Sequence, residues 1–425
     1  MVPAVDDQRM PLHHNENVPL WPAVALLLVV FGWLCFTVPA GGFEADQEYW
    51  IRWSHRIHSF GLSQVYGGLA GQANYLPVSL LVLTLINHLI GGALSPESVP
   101  LVKVATLLFD LALGLVLAGF LHRRGRHPAL ALVVVANPAT LYNSWVWGQI
   151  DAMHTAFAAG AWLALSSGQG PLAAALFLLA LNTKLQSVVL VPFFLFALAH
   201  VLGRRLTAWI ATAASCLGVQ AALLLPFWNA RALTALRHNV FGIVGYFKAV
   251  SLNAHNLWYL ILADPSQVDD TGRFLGSTYR LWGEGLFALA LGLIAVPFYR
   301  WIRRLWHDSR LQDLDRTGFL FMGLAGLAFF DLPTEAHERF VHQAVVFFGI
   351  DAVLRGRYLF YALVSAFYLV NLEDVLRWRG LGYETFLFDA RLGAMAMLAL
   401  LGVGIWQAYR RTRSSPAPSA EDALA

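Results

Sequence analysis

Gly42-Phe43-Glu44-Ala45-Asp46-Gln47-Glu48-Tyr49-Trp50-Ile51-Arg52-Trp53 follows directly on the first apolar run of the chain, Val18 to Ala40. Three carboxylates and two tryptophans therefore stand where a chain leaves a bilayer. From Trp50 the apolar residues fall at Trp50, Trp53, Ile57 and Phe60, while Arg52, His55, Arg56 and Ser59 take the other side. That is helical spacing with one apolar face. A helix of this kind lies in the membrane interface rather than across it. Asp46 falls near its N-terminus, where the helix dipole favours a carboxylate. An ionised acid at such a boundary suits a base that takes a proton from a hydroxyl. It equally suits an amphipathic connector with solvated acids, and the segment alone leaves both open.

The rest of the chain places this segment in a membrane protein. Of 425 residues, 58 % are hydrophobic and 13 % charged, with a mean hydropathy of +0.57. A soluble domain carries roughly twice that charge. The apolar runs are long and do not alternate, which excludes a lipid-facing barrel and predicts an all-α polytopic bundle. A net charge of +3 says little about partners. Cys35 and Cys216 lie inside apolar runs and suggest neither a disulfide framework nor a metal site. The run from Val18 is too long for the apolar part of a signal peptide, so it is expected to remain as a first span. Residues 1–17 are read as a polar tail, 18–408 as the transmembrane domain and 409–425 as a second tail, Pro/Ala/Ser-rich and disordered from Ser414.

Basic clusters orient the spans. Arg123-Arg124-Gly125-Arg126, Arg204-Arg205, Arg300 with Arg303 and Arg304, Arg355-Gly356-Arg357, and Arg410-Arg411 with Arg413 each follow an apolar run. The positive-inside rule makes all of them cytoplasmic. If every apolar run spans, the cluster at Arg123 falls outside. Treating the run Leu76–Gly91, which contains Pro77 and His88, as a second interfacial helix repairs every later cluster. About twelve spans with both ends inside result, and residues 41–99 become a first outer loop with interfacial helices.

This orientation gathers the unusual polar sequence on the outer side. Lys103, Lys184 and Lys248 are the only lysines, and all fall at outer helix ends or loops. Lysines near a bilayer either snorkel or meet an anion, and their side points to a phosphate. Asn137-Pro138-Ala139-Thr140-Leu141-Tyr142-Asn143-Ser144-Trp145-Val146-Trp147-Gly148-Gln149-Ile150-Asp151 reads as a polar, aromatic turn between spans, with Asp151 opening a helix. An interfacial aromatic belt explains its tryptophans but not its Asn, Gln and Asp together. In Asp331-Leu332-Pro333-Thr334-Glu335-Ala336-His337-Glu338-Arg339, His337 and Arg339 are expected to begin a span, where a helix N-terminus and a guanidinium suit a phosphate. A solvated loop with local ion pairs is the other reading.

Taken together, these pieces resemble the bacterial GT-C-type glycosyltransferases, integral membrane enzymes that use polyprenyl-phosphate-linked sugars. The resemblance runs over roughly residues 20–375, in family order. It begins with Asp46, Tyr49-Trp50, Trp53, Gly61 and Tyr66, then Asn74-Tyr75-Leu76-Pro77, where the family usually has Asn- or Asp-Tyr-Pro-Pro. Asn137-Pro138 and Asn143-Ser144 follow, with Val146-Trp147-Gly148-Gln149-Ile150-Asp151 as the most specific piece. Thr183-Lys184-Leu185-Gln186 is similar to the family's Thr-Lys-Pro-Gln. Leu252-Asn253-Ala254-His255-Asn256-Leu257-Trp258 and His337-Glu338-Arg339-Phe340 complete the set.

The resemblance implies a GT-C-like fold in a bacterial inner (plasma) membrane and transfer of a hexose, mannose by default, with inversion. It implies Asp46 as the base that deprotonates an acceptor hydroxyl, with Glu44 and Glu48 as fallbacks that a helix aims elsewhere. Cations are needed for the leaving phosphate: Lys184 and Arg339 first, Lys103 third, with His337 and Glu338 in the same motif. Trp147, Gln149 and Asp151 are expected to line the sugar site. The implied partners are a polyprenyl-phosphate sugar donor, a lipid, glycan or protein acceptor and membrane lipids, with no nucleic acid. No Gly-rich nucleotide loop is seen, and no cofactor or metal-ligand set is expected. Two other classes stay open: a polytopic transporter or lipid flippase, which the absence of half-length repeats disfavours, and a non-catalytic assembly subunit, which the retained Asp46, Lys184 and Arg339 disfavour.

Overall fold

The computed structural model describes residues 18–66, 73–242, 245–308 and 313–413. The tail assigned to residues 1–17 and residues 414–425 of the tail assigned to 409–425 lie outside the described residues, whereas residues 409–413 continue the last helix. The chain is almost entirely helical. In order come α1 (Leu20–Phe36), α2 (Glu44–Phe60), α3 (Pro77–Ile90), α4 (Leu101–Arg123), α5 (Ala131–Val135), α6 (Pro138–Leu141), α7 (Asp151–Ser166), α8 (Gly170–Thr183) and α9 (Val191–Leu202). Then follow α10 (Leu206–Leu224), α11 (Ala230–Phe241), α12 (Trp258–Ile261), α13 (Tyr279–Asp308), α14 (Asp313–Asp331), α15 (His342–Arg355), α16 (Leu359–Leu376) and α17 (Ala390–Arg413). Two small ribbons interrupt them: β1 (Ser251–Leu252) runs parallel to β4 (Ala336–His337), and β2 (Arg273–Phe274) pairs antiparallel with β3 (Ser277–Thr278).

Among the described residues six helices are long and apolar enough to cross a membrane, and a bent pair makes a seventh. Apolar residues occur on both the packed and the outward sides of these helices. On α10, Leu206, Ile210 and Leu217 face outward, as does Val29 on α1. That is the composition a lipid solvent requires. The centre of the bundle is α14 and α15, where nearly every side chain is buried. Glycines allow the close approach: a Cβ on Gly318 would fall 2.3 Å from the Trp162 ring, and one on Gly323 2.4 Å from Phe348.

Three expectations change. The apolar stretch that leads into the Asn137–Asp151 segment is not one straight span but two helical pieces, Pro128–Val135 and Pro138–Trp147, meeting at 53°. The break falls at Asn137, whose Oδ1 accepts from Ala139 N at 2.8 Å while Pro138 opens the next helix. The segment expected as a turn is thus largely helical, ending in a wide turn over Tyr142–Trp147. Second, Trp50, Trp53 and Ile57 are buried on one face of α2, but Phe60 at its last turn is 69 % exposed. Third, His337 and Arg339 do not begin a helix. α15 starts at His342, and pairing with Ser251–Leu252 holds Ala336–His337 extended.

The first loop folds back on the bundle. Ser54 Oγ donates to Asn87 Oδ1 at 2.6 Å and accepts from Leu94 N, so α2 and α3 are joined by buried polar groups. Ser79 Oγ donates to Thr183 O at 2.9 Å and ties α3 to the end of α8. Overpacking a well-packed core costs about 1–3 kcal/mol. Gly318→Val should therefore lower the melting temperature of the detergent-solubilised protein, whereas Gly285→Ala, with open space around its Cβ, should not; thermal unfolding followed by size-exclusion chromatography checks both.

Candidate functional site

Asp46 sits in the first turn of α2, half-buried. Its Oδ2 accepts two hydrogen bonds, from Trp147 Nε1 at 2.8 Å and from Gln149 Nε2. Both donors come from the turn that ends the wide helical segment. Gly148 between them has φ +89°, a left-handed conformation that glycine adopts freely. A Cβ there would also meet the Lys103 side chain at 3.0 Å. Phe43 stacks on Trp147 with centroids 5.0 Å apart and seats the start of α2 against this turn. Glu44 and Glu48 point outward, and Glu48 meets only Arg52 at 4.0 Å on the surface.

Trp147 and Gln149, expected to contact sugar, are thus engaged by Asp46. Tyr75 OH donates to Gln149 Oε1 at 3.2 Å, so the amide is held at both ends. Lys103 departs further from expectation. It is 2 % exposed, and its Nζ donates to Pro39 O at 2.9 Å, Val146 O at 2.7 Å and Gly41 O. An ammonium has three donors, so these carbonyls use them all and none faces a phosphate. Lys248 is exposed on a loop.

Lys184 follows the last residue of α8 with extended backbone, φ −150° and ψ 128°. This break turns its side chain into the cavity. Nζ lies 2.5 Å from Asp151 Oδ1 and 5.4 Å from the Phe340 ring centre. Asp151 itself is fully buried, with His154 Nε2 at 3.5 Å. It supports Lys184 from behind and, although expected to contact sugar, does not line the cavity. His154 Nδ1 lies 3.0 Å from Ser187 Oγ.

Arg339 Nη1 donates to Glu338 Oε1 at 2.6 Å. Burial works against the Arg339 charge, but the Asp46 and Glu338 carboxylates outweigh it and tighten its hold on the proton. Burial pushes Glu338 up from the usual carboxylate range while Arg339 pulls it down. His337 is held well below the usual imidazole range, first by burial and then by the charges of Arg339 and Lys184. It is a neutral ring, packed between Phe247 and Phe340.

Asp46, Lys184, His337 and Arg339 all line one cavity of about 360 Å³. That size is ordinary for a small-molecule site, roughly 300–1,000 Å³. Tyr49, Trp50, Trp53 and Tyr75 form one wall; Leu185, Val188, Phe287, Phe329 and Phe340 form an apolar side among the helices. Five buried polar atoms on lining residues have no hydrogen-bond partner: Trp50 Nε1, Trp53 Nε1, Asn74 Oδ1, Gln186 Oε1 and Arg339 Nε. Buried polar atoms are nearly always paired, so these five are exceptions in the packing behind the cavity surface.

The same cavity is bordered by a network the sequence did not disclose. Arg280 donates to Asp270 at 2.8 and 2.9 Å and lies 3.5 Å from Glu335. The Glu335 carboxylate accepts from Gly245 N and Phe247 N, which holds Tyr246 and Phe247 over the cavity. Burial raises Glu335 above the usual carboxylate range. Only long-range folding brings these residues together. Tyr75 and Gln186, by contrast, lie inside the quoted Asn-Tyr-Leu-Pro and Thr-Lys-Leu-Gln segments. Among the described residues, no three His, Cys, Asp or Glu side chains are grouped to hold a metal ion. No protein-family model matches the chain, and no curated protein matches it in sequence.

The carbonyl cage makes a structural role for Lys103 testable. Leaving buried acceptors unpaired costs about 1–3 kcal/mol each. Lys103→Met is expected to lower thermal stability of the purified protein. Unchanged stability with loss of phosphate-ligand binding would instead return Lys103 to the anion site.

Proposed function

We propose that the chain is a membrane glycosyltransferase that moves a hexose from a polyprenyl-phosphate sugar to an acceptor hydroxyl. The observation that carries this reading is one cavity that combines a positioned carboxylate, Asp46, with two cations, Lys184 and Arg339, and an apolar side. Asp46 Oδ2 is taken by two donors. Oδ1 is then the atom to receive the acceptor proton as the acceptor oxygen attacks the anomeric carbon. The bond from that carbon to the phosphate oxygen breaks on the opposite face, and the configuration inverts. The departing phosphate gains charge beside Lys184 and Arg339, whose positions in a largely dry site stabilise it. The apolar side suits the first isoprene units of a lipid donor. Neutral His337 adds a donor or acceptor without adding charge.

In this reading the GT-C-like domain crosses the plasma membrane of a bacterial cell about twelve times with both ends inside. The broken pair counts as one span, and α2 and α3 lie in the outer interface. Ser95 is then extracytoplasmic. A cysteine placed there should react with an impermeant maleimide in intact cells, and one at Gly125 should not. Labelling of neither, with both reactive in lysed cells, contradicts the twelve-span arrangement.

The chemistry is tested with purified protein and a panel of polyprenyl-phosphate sugars. Asp46→Asn is expected to lose about 10²–10⁴-fold in transfer rate while still binding donor. Glu44→Gln and Glu48→Gln should remain near wild type because both face away. Lys184→Ala and Arg339→Ala should each lose on the order of 10²-fold at limiting donor, in line with loss of a charge-assisted phosphate contact of about 1.5–3 kcal/mol. Absence of transfer from every donor by the wild-type protein would defeat the reading.

A further inference from the structure

With the turn that follows it, α10 is long and apolar enough to cross a membrane over Leu206–Phe227, and only 17 % of its most apolar stretch is buried inside the protein. Lipid is the solvent that suits the rest. The chain leaves this span past Leu225 and Trp228, which are 71 % and 76 % exposed. A tryptophan in that place marks the membrane–water interface. Asn229 then caps α11, its Oδ1 accepting from Ala232 N at 2.7 Å. Two residues therefore tether α11 to the end of a span, and it starts at the lipid surface. On one side of α11, Ala232 and Leu236 are buried in the same core as Trp53, Val65 and Phe227. The other side carries Arg231, Thr234, Arg237 and His238, all exposed. The protein itself uses the apolar face of this amphipathic helix, and the basic face is left outward.

Folding does not account for that basic face. Among the described residues, the side chains of Arg231, Arg237 and His238 form no hydrogen bond or ion pair. The sequence between Asp151 and Asp264 contains no Asp or Glu that could pair with them. Arg231 stands in the first turn of α11, where the helix dipole disfavours a cation. Membrane sidedness does not account for it either. Arg204-Arg205 precedes α10, while Arg231 and Arg237 follow it, and the positive-inside bias favours basic residues at one end of a span only. What meets the other end is the phosphate layer of the bilayer. We propose that α11 is a headgroup-binding helix: Arg231 and Arg237 hold the phosphates of anionic phospholipids in the leaflet at which α10 ends. Charge-assisted bonds from the two guanidinium groups favour a phosphate, and a zwitterionic headgroup, which brings its own cation, is held less well. Tyr246 and Phe247, which line the cavity, follow shortly after α11 in the chain. Lipid held by α11 is thus held next to the segment that borders the cavity. Neither sugar transfer nor the identity of the leaflet enters the proposal.

The test places a fluorescent reporter on the basic face of the full-length protein in phosphatidylcholine nanodiscs. With Cys35→Ala and Cys216→Ala as background, Thr234→Cys takes a bimane between the two arginines. Quenching is compared for phosphatidylglycerol and phosphatidylcholine, each carrying a nitroxide high on its acyl chain and present at equal mole fraction. The anionic lipid is expected to quench in excess, with a local enrichment of about fivefold for each arginine. The excess should shrink as salt is raised, vanish in Arg231→Gln/Arg237→Gln and persist in Arg204→Gln/Arg205→Gln. Equal quenching by the two lipids overturns the proposal, and that comparison needs no arginine variant to fold. An excess that survives in Arg231→Gln/Arg237→Gln overturns it too. So does a bimane that neither lipid quenches but iodide does, which would put the face in water. Relief of the quenching by inorganic phosphate, beyond that by chloride at the same ionic strength, would assign the arginines to a soluble phosphate and overturn the lipid assignment. None of these readings involves a sugar, so a protein that transfers none defeats only the glycosyltransferase reading.

Discussion

Lys103 Nζ binds three backbone carbonyls drawn from two separate stretches of chain, Pro39 and Gly41 before α2 and Val146 at the end of the wide turn. An ammonium buried beside lipid is costly unless its donors are filled, and here only that convergence fills them. The consequence is positional. The carbonyl of Gly41 lies five residues before Asp46, and that of Val146 immediately precedes Trp147. Holding both on one nitrogen brings the first turn of α2 against the Trp147–Gln149 turn. The Asp46 contacts, the stacking of Phe43 on Trp147 and the left-handed Gly148 over the lysine stem all follow from it.

The cavity is then organised by the sharing of charge. Each of the three lining cations has an anionic partner, Asp151 behind Lys184, Glu338 beside Arg339 and Asp270 with Glu335 at Arg280. The pairs are not equivalent. Arg280 meets its fully buried partner through two hydrogen bonds, so its fork is closed. Lys184 makes one short contact, and Arg339 keeps Nε without a partner. An ammonium has three donors and a guanidinium five. Capacity for a further anion therefore remains at Lys184 and Arg339 and is largely used up at Arg280. A buried cation left without any partner is destabilising; a single partner each keeps these two charged while leaving donors to spare.

Periodicity made the face of α2 legible, since Trp50, Trp53 and Ile57 recur at helical spacing and are buried together. It also made legible that Glu44 and Glu48 point away from Asp46. It did not disclose what that face meets. Whether a lysine at a helix start points to solvent, an anion or carbonyls depends on segments far away in sequence, so position alone does not tell the carbonyl cage of Lys103 from a phosphate contact. Asp151, expected to line the sugar site, is buried for the same reason: the Lys184 side chain arrives from the end of α8 and pairs with it. Trp147 and Gln149 lie either side of a glycine, and only its positive φ turns both toward one carboxylate. His337 and Arg339 precede a helix, and no local signal foretells that a strand pairing will delay the helix start to His342.

The two leucines that stand where the resembling family has proline show how little of this geometry depends on that residue. Proline at 185 would exclude the helical region for Lys184 and so by itself direct the lysine out of α8. Lys184 is nevertheless extended, because α8 stops at Thr183, whose carbonyl is occupied by Ser79 Oγ at 2.9 Å, and because Leu185 restarts the chain in a tight helical turn. At the other site Leu76 is extended, with φ −85° and ψ 168°, as the residue before Pro77 should be. One remaining proline and one hydrogen bond from a neighbouring helix thus perform what two further prolines would. Tyr75 and Lys184 both line the cavity, and the Ser79 contact makes the end of α8 and the start of α3 a single support for both.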